Sequence, residues 1–189
     1  MSLKELNFLK MNKFRNLIIL GPLAYALHHF EEHILFDFRE WRLSYFYDNN
    51  PISTEEVLIR LISLLLIVIF VHLIKNNRGS AHLVLFFLMA TQVVNSLFHI
   101  FFSFYFYDFS PGAITATLLY LPINYLIISA AFQEEFLKSF LELFLLFVAG
   151  LITFILFELI GPVVIKYTVI LTPLYYIMIN KLENRNTVA

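Results

Sequence analysis

Long apolar runs separated by short polar stretches make up most of this chain. Several runs approach the roughly 20 apolar residues that an α-helix needs to cross about 30 Å of hydrocarbon. The runs lack the strict alternation of a transmembrane β-barrel, so we expect the spanning elements to be helices. The pattern predicts six spans, at about residues 15–36, 56–74, 81–106, 111–132, 137–160 and 163–179.

The stretches between the spans fit this division. Ser53 and Ser110 stand where helix N-caps are expected, before the second and the fourth span. Residues 37–53 mix aromatic and charged side chains, which is typical of the membrane–water interface. We therefore predict one all-α domain over residues 1–189, a polytopic helical bundle embedded in a membrane, with an interfacial segment after the first span.

Composition supports a membrane protein and excludes several kinds of site. The chain is 60% hydrophobic and 14% charged, whereas soluble domains are about 45–50% apolar and about 25% charged. It has no cysteine, which excludes disulfides, iron–sulfur clusters and thiolate zinc sites. The net charge of −1, without a basic block, argues against a nucleic-acid partner.

The distribution of lysine and arginine predicts an orientation. Six spans place both termini on the same side of the membrane. If that side is the inner one, only Arg39, Arg42, Arg60 and Lys166 fall outside, and the other nine of the 13 basic residues fall inside. This bias predicts a multi-pass protein of the cell membrane with both termini in the cytoplasm.

The first span is interrupted near its end by ionisable side chains, because residues 28–33 read His-His-Phe-Glu-Glu-His. A charged side chain at mid-bilayer costs roughly 2.5–3.5 kcal/mol on insertion scales, so such groups occur mainly when they are paired, solvated or bound to metal. His28 is followed by Glu31 at i+3 and Glu32 at i+4, which places the three along one helix face. We predict a functional site here. The alternative is a buried network in which histidines and glutamates satisfy each other without metal.

Polar residues of other spans fall at a matching depth. With a rise of 1.5 Å per residue, Asn95 and His99 lie in the second half of the third span and Thr115 lies in the first turns of the fourth. Glu158 and Lys166 lie at the same level, and they either close the site or pair with each other. The common depth predicts one shared site in the outer half of the bilayer.

Two further histidines lie in apolar runs but away from this level. His72 and His82 are near the inner ends of the second and third spans, where a side chain can reach the interface. We expect both histidines to be structural.

Imidazole and carboxylate ligands together suit Zn, Fe or Mn better than Mg or Ca. We predict a divalent metal, zinc before iron or manganese, with His28, Glu31, Glu32 and His99 as the candidate ligands. One of the two glutamates would be a ligand, and the other would be a general base or would orient a ligand. The predicted catalytic residues are Glu31, Glu32, Asn95 and Thr115.

Three short motifs, in this order, resemble a family of HXXEE-motif membrane proteins. His28 to Glu32 fits His-x-x-Glu-Glu, Asn95 to His99 resembles the family's Asn-x-x-x-His element, and Pro111 to Thr115 resembles its Pro-Gly-x-x-Thr element, here preceded by Tyr107. The similarity covers roughly residues 20–130. It implies a small multi-pass protein without an established activity, for which a metal-dependent membrane enzyme is the usual expectation.

These residues lead to one main hypothesis and two alternatives. The main hypothesis is a metal-dependent hydrolase or acyl-transferase that acts on a lipid or other apolar substrate, with Asn95 polarising a carbonyl or holding a ligand. The first alternative is a dinuclear iron oxidoreductase, which would recruit His29, His33 and Glu158 as further ligands. The second is a proton- or ion-coupled transporter that uses the same His/Glu cluster.

Overall fold

The computed structural model describes residues 13–47 and 52–186, with side chains up to residue 182; residues 48–51 of the predicted interfacial segment lie outside this range. The described part of the chain is mostly helical and contains no strand, which confirms the all-α prediction. Its α-helices are α1 (Phe14–Leu17), α2 (Leu20–Phe30), α3 (Phe38–Tyr45), α4 (Thr54–Lys75), α5 (Arg78–Leu88), α6 (Val94–Tyr105), α7 (Ala113–Thr115), α8 (Leu121–Gln133), α9 (Phe140–Ile160) and α10 (Val163–Asn186). Its π-helical turns are π1 (Glu31–Leu35), π2 (Met89–Val93) and π3 (Ala116–Tyr120).

Among the described residues, five helices are long and apolar enough to cross a membrane. Their most apolar 18-residue windows have mean hydropathies from 1.4 to 2.9. Their outward faces are also apolar: Phe70 is 64% exposed and Phe140 is 79% exposed. Such surfaces suit lipid and not water, so the chain is a multi-pass membrane protein. The five helices are Thr54–Lys75, Arg78–Tyr105, Ala113–Gln133, Phe140–Ile160 and Val163–Leu182.

The first predicted span differs from these five helices. It divides into α1, a turn at residues 18–19, and α2 continued by π1. Pro22 explains the break, because it cannot donate the backbone hydrogen bond that the carbonyl of Ile18 would accept in a continuous helix. The 11 residues of α2 and the five of π1 together form a helical segment that is shorter than each of the five long apolar helices. The count of six spans and the inward orientation of both termini stay predictions.

Helix α10 is longer than its predicted span, because it continues through Pro173 to Asn186. Membrane helices tolerate an internal proline when neighbouring groups satisfy the freed backbone positions. A helix of a membrane protein can therefore continue past Pro173.

The helix formed by α5, π2 and α6 is the centre of the bundle. In its apolar window 61% of the residues are buried, against 11% for α9 and for α10. Gly150 lets α9 come close to it, since a Cβ there would lie 3.0 Å from the backbone nitrogen of Ala90. Gln92 connects this helix to two others, because its amide donates to the carbonyl of Gly21 and accepts from Asn124, each at 2.8 Å.

The three π-helical turns of the described chain all lie beside the predicted site. Glu31 and Glu32 belong to π1, Asn95 lies two residues after the end of π2, and Thr115 directly precedes π3. A π turn changes the direction in which the following side chains point, and such turns are frequent at functional sites. The local geometry of three separate helices is therefore altered at the level where their polar residues meet.

Candidate metal centre

Two imidazoles and one carboxylate meet where π1 approaches α6. The Nε2 atom of His28 lies 3.3 Å from Oε1 of Glu32, and the Nε2 atom of His99 lies 3.0 Å from the same oxygen. His28, Glu32 and His99 are all buried. Ligands about 2.0–2.1 Å from a tetrahedral zinc ion are about 3.3 Å from each other. Both imidazole–carboxylate separations are therefore close to those between ligands of one small metal ion, and ligand atoms of the three residues all lie within 4.8 Å of one another.

Hydroxyl groups hold the other nitrogen of each imidazole. His28 Nδ1 lies 2.8 Å from Thr115 Oγ1, and His99 Nδ1 lies 2.9 Å from Ser110 Oγ. Because the Thr115 hydroxyl donates to the carbonyl of Gly112, it accepts from His28 Nδ1. The proton of His28 then sits on Nδ1, and Nε2 keeps the lone pair that a metal ligand needs.

The environment of His99 Nε2 also supports a lone pair that is available to a metal ion. None of the described residues forms a hydrogen bond with this buried atom, although Glu32 Oε1 is 3.0 Å away. With the proton on Nδ1, the lone pair of His99 faces a carboxylate oxygen, and two such groups repel unless a proton or a cation lies between them. A divalent metal ion fits this donor set.

Asn95 completes the group on the side of the cavity. Its Nδ2 atom lies 3.0 Å from His28 Nε2. An amide nitrogen is a donor, so this contact agrees with a lone pair on His28 Nε2. Asn95 and Thr115, both predicted from the sequence, are thus in direct contact with His28.

Glu31 lies beside this group but is not part of it. Its Oε1 accepts from the backbone nitrogens of Gly112 and Ile114, each at 3.1 Å, and its Oε2 accepts from that of Thr115 at 2.6 Å. Glu31 therefore caps the first turn of α7 from another helix. This differs from the sequence analysis, which placed Glu31 among the metal ligands and the catalytic residues. Spacing alone did not separate the two glutamates, because i+3 and i+4 share a helix face.

Gly112 lets the α7 loop pack directly on the ligands. Its φ angle is +97°, in the region that favours glycine. An added Cβ would lie 2.7 Å from His28 Cε1, 2.9 Å from Glu32 Cγ and 3.0 Å from His99 Cε1. The structure thus leaves no room for a Cβ between residue 112 and the side chains of His28, Glu32 and His99.

Ser110 is a site residue that the sequence analysis did not identify. It was expected to be the N-cap of the fourth span, but α7 starts at Ala113 and Gly112 is its N-cap. The hydroxyl of Ser110 is fully buried and contacts His99 instead. The sequence offered one indication that Ser110 belongs to the site, namely its position directly before the Pro111-Gly112 element.

A cavity of about 200 Å³ lies next to the metal-ligand group. His28, Glu32 and Asn95 line one part of it, together with Arg39 and Arg42 of α3. Its remaining wall is mostly apolar and comes from α4, α5, α9 and α10. Typical residues of this wall are Leu58, Leu61, Leu64, Phe86, Phe87 and Phe154.

Helix α3 is connected to the bundle by polar contacts at two points. Arg42 donates to Glu158 Oε2 through Nε at 3.1 Å and Nη2 at 3.0 Å. Tyr45 donates to Asp108 at 2.9 Å, and this hydrogen bond raises the pKa of the Tyr45 hydroxyl above its usual range. For Glu158, the sequence analysis left two alternatives open, closing the site or pairing with Lys166. In the structure Glu158 lines the cavity and pairs with Arg42.

Comparison with known proteins agrees with the motifs. A family model described as a protein of unknown function with HXXEE motif matches residues 19–127, more than half of the chain. The chain belongs to this family. No curated protein and no solved structure matches it. In this member of the HXXEE family, the histidine of the motif and its second glutamate, His28 and Glu32, meet His99, while its first glutamate, Glu31, caps α7.

Proposed function

We propose that this protein is a metal-dependent membrane enzyme of the hydrolase or acyl-transfer type, which acts on a lipid or other apolar substrate in the cell membrane. One observation carries the proposal: two imidazole Nε2 atoms converge on one carboxylate oxygen at 3.3 and 3.0 Å, away from water and beside a cavity. A buried carboxylate is costly unless it is paired or coordinates a metal. A divalent cation would relieve that cost at this point.

The ligands would be His28, Glu32 and His99, which is three protein groups with one open position. Catalytic zinc sites have this composition, whereas structural zinc sites usually have four protein ligands. Zinc is preferred to iron or manganese because the observed spacing matches tetrahedral coordination. When bound, the ion supplies a Lewis acid and an activated water for attack on an ester or amide carbonyl.

The chain's own residues would then have distinct tasks. Thr115 and Ser110 keep the two imidazoles turned toward Glu32 through their Nδ1 atoms. Asn95 now donates to His28 Nε2, and a metal ion on that nitrogen would release the amide to bind a substrate carbonyl. Glu31 holds the loop that carries Gly112 against the ligands.

The cavity supports an apolar substrate. Leucine and phenylalanine side chains form most of its wall, and the ligands lie at its polar part. The chain or ring of a lipid-like molecule fits such a wall by hydrophobic contact. Arg39 and Arg42 line the same cavity, in the segment that we predict to contact lipid head groups.

Elemental analysis of the detergent-purified full chain, never exposed to chelator, tests the metal. We expect at least one equivalent of zinc, iron or manganese in the wild type, and one equivalent less in His99→Ala. His72→Ala is the matched control, because His72 is equally buried and also contacts a serine through Nδ1, and it should retain the wild-type content. A metal-free wild type, or equal content in His99→Ala and wild type, would contradict the proposal.

A further inference from the structure

Glu32 has a second carboxylate oxygen, and this oxygen faces a second pair of imidazoles. While Oε1 contacts His28 and His99, Oε2 lies 3.6 Å from His33 Nε2. The ring of His29 lies next to that of His33, with centroids 4.2 Å apart. One potential ligand atom from each of His29, Glu32 and His33 lies within 4.8 Å of the others.

The helix explains why two pairs of histidines meet one glutamate. His29 and His33 are separated by four residues, as His28 and Glu32 are, so they occupy a neighbouring face of the same helix. The turn at this point is π-helical, with the backbone nitrogen of Phe36 donating to the carbonyl of Glu31. In this turn the carboxylate of Glu32 lies between the two faces, with one oxygen toward each.

All three members of the second group, His29, Glu32 and His33, line the cavity. In the first group His28 and Glu32 line it, and His99 is fully buried. The side chain of His33 is 18% exposed.

We propose that His29, His33 and Oε2 of Glu32 form a second metal position, and that the Glu32 carboxylate bridges two divalent cations. This inference rests on the proposed function of the first position. In two-metal sites the ions lie about 3.5–4 Å apart, and a bridging carboxylate with one oxygen toward each ion suits that separation. The ligand chemistry, two imidazoles and one carboxylate oxygen, again suits zinc, manganese or iron.

Both positions border the cavity, the first through His28 and the second through His29 and His33, while Glu32 belongs to both. The first ion would keep the role proposed above, and the second ion would bind a further oxygen of the substrate. The substrate of the proposed reaction would then meet a two-ion centre.

Metal stoichiometry and manganese spin coupling test the second position. We load the detergent-purified full chain with Mn²⁺, count bound ions by elemental analysis, and record electron paramagnetic resonance spectra. The wild type should bind two equivalents and give the spectrum of an exchange-coupled pair. His33→Ala and, separately, His29→Ala should bind one equivalent and give an uncoupled spectrum, while His82→Ala, a buried histidine far from the centre, should match the wild type.

The outcomes separate this inference from the proposed function. One equivalent in the wild type, unchanged in His33→Ala and His29→Ala, would overturn the second position and leave the first intact. Two equivalents that both variants retain, or two equivalents without coupling, would also overturn it. No bound metal in any sample would overturn both proposals. Two variants are used because His29 and His33 should bind the same ion. Removal of either histidine alone should therefore cost the same single equivalent of metal.

Discussion

His99 and His72 have almost the same surroundings on one side of the ring. Each is completely buried, and each has its Nδ1 atom 2.9 Å from a serine hydroxyl, Ser110 for His99 and Ser80 for His72. In both, Nε2 has no hydrogen-bond partner within the part of the chain that the structure describes. By burial and hydrogen bonding the two histidines cannot be told apart.

They differ in what faces the other side of the ring. The Nε2 atom of His99 is 3.0 Å from a carboxylate oxygen of Glu32. The ring of His72 instead lies edge-on to Phe14 and Phe136, with centroids 5.0 and 5.2 Å away. Aromatic edge-to-face contacts stabilise a neutral imidazole and offer no ligand to a metal. A buried histidine with a free nitrogen is therefore insufficient evidence for a metal site, and the opposed carboxylate makes the difference.

Removal of the carboxylate beside His99 should have the largest effect on metal binding. Glu32→Gln would leave His99 with a neutral neighbour, as His72 has. We expect metal affinity to fall by on the order of 100-fold or more, since loss of groups that only support a ligand already costs about 10–100-fold. Competition with a chelating dye in detergent measures this affinity.

Glu31→Gln is the matched control for that change. It should keep metal affinity within about tenfold but lower stability by about 1–3 kcal/mol, because three backbone N–H groups lose a charged acceptor. Thermal unfolding in detergent measures the second effect. Equal losses of metal affinity in both glutamine variants would refute the division between ligand and cap.

Gly112→Ala should disturb the first metal position without removing a ligand. The added Cβ would come within 2.7 Å of His28 Cε1 and would sit at a φ of +97°, a conformation that costs about 1–3 kcal/mol for other residues. We expect metal affinity to fall by roughly 10–100-fold. Gly150→Ala, which crowds Ala90 and Met89 and none of the three candidate ligands, should lower stability alone. A matching loss of metal in both variants would argue against a specific contact.

The smallest effect on metal affinity is expected from the two serines that contact His99 and His72. Ser110→Ala removes the hydroxyl behind His99, and Ser80→Ala removes the equivalent hydroxyl behind His72. We expect Ser110→Ala to weaken metal binding by about tenfold, the lower end of the range for supporting groups, and Ser80→Ala to leave it unchanged. The same dye competition compares the two, and a Ser80→Ala effect as large as that of Ser110→Ala would show that the loss is not local.

The helices were predictable because each depends on a local property of the chain. The second to fifth predicted spans lie within three residues of Thr54–Lys75, Arg78–Tyr105, Ala113–Gln133 and Phe140–Ile160 at both ends. Apolar runs of this length have few other ways to satisfy their backbone in lipid. The first span was the exception, and its cause, Pro22 after Gly21, is a local signal that the hydropathy pattern did not weigh.

The site was only partly predictable, because ligand directions depend on distant contacts. The i+4 spacing selected Glu32 beside His28, yet Glu31 is equally close in sequence. The difference arises from the backbone N–H groups of α7, more than 80 residues away, which take both oxygens of Glu31. Ser110 became a site residue for a similar reason, since its loop folds back over His99.

The order of residues alone identifies an all-α membrane protein of the HXXEE family, in which histidine and glutamate lie together within apolar surroundings. Hydrophobicity, helix period and motif spacing are properties of neighbouring residues, so they can be read from the order of the chain. Which glutamate faces His99 could not be read from that order: in the folded chain Glu32 faces His99 and Glu31 caps α7. That choice depends on how each helix is rotated about its axis, and the packing of separate segments against one another sets this rotation.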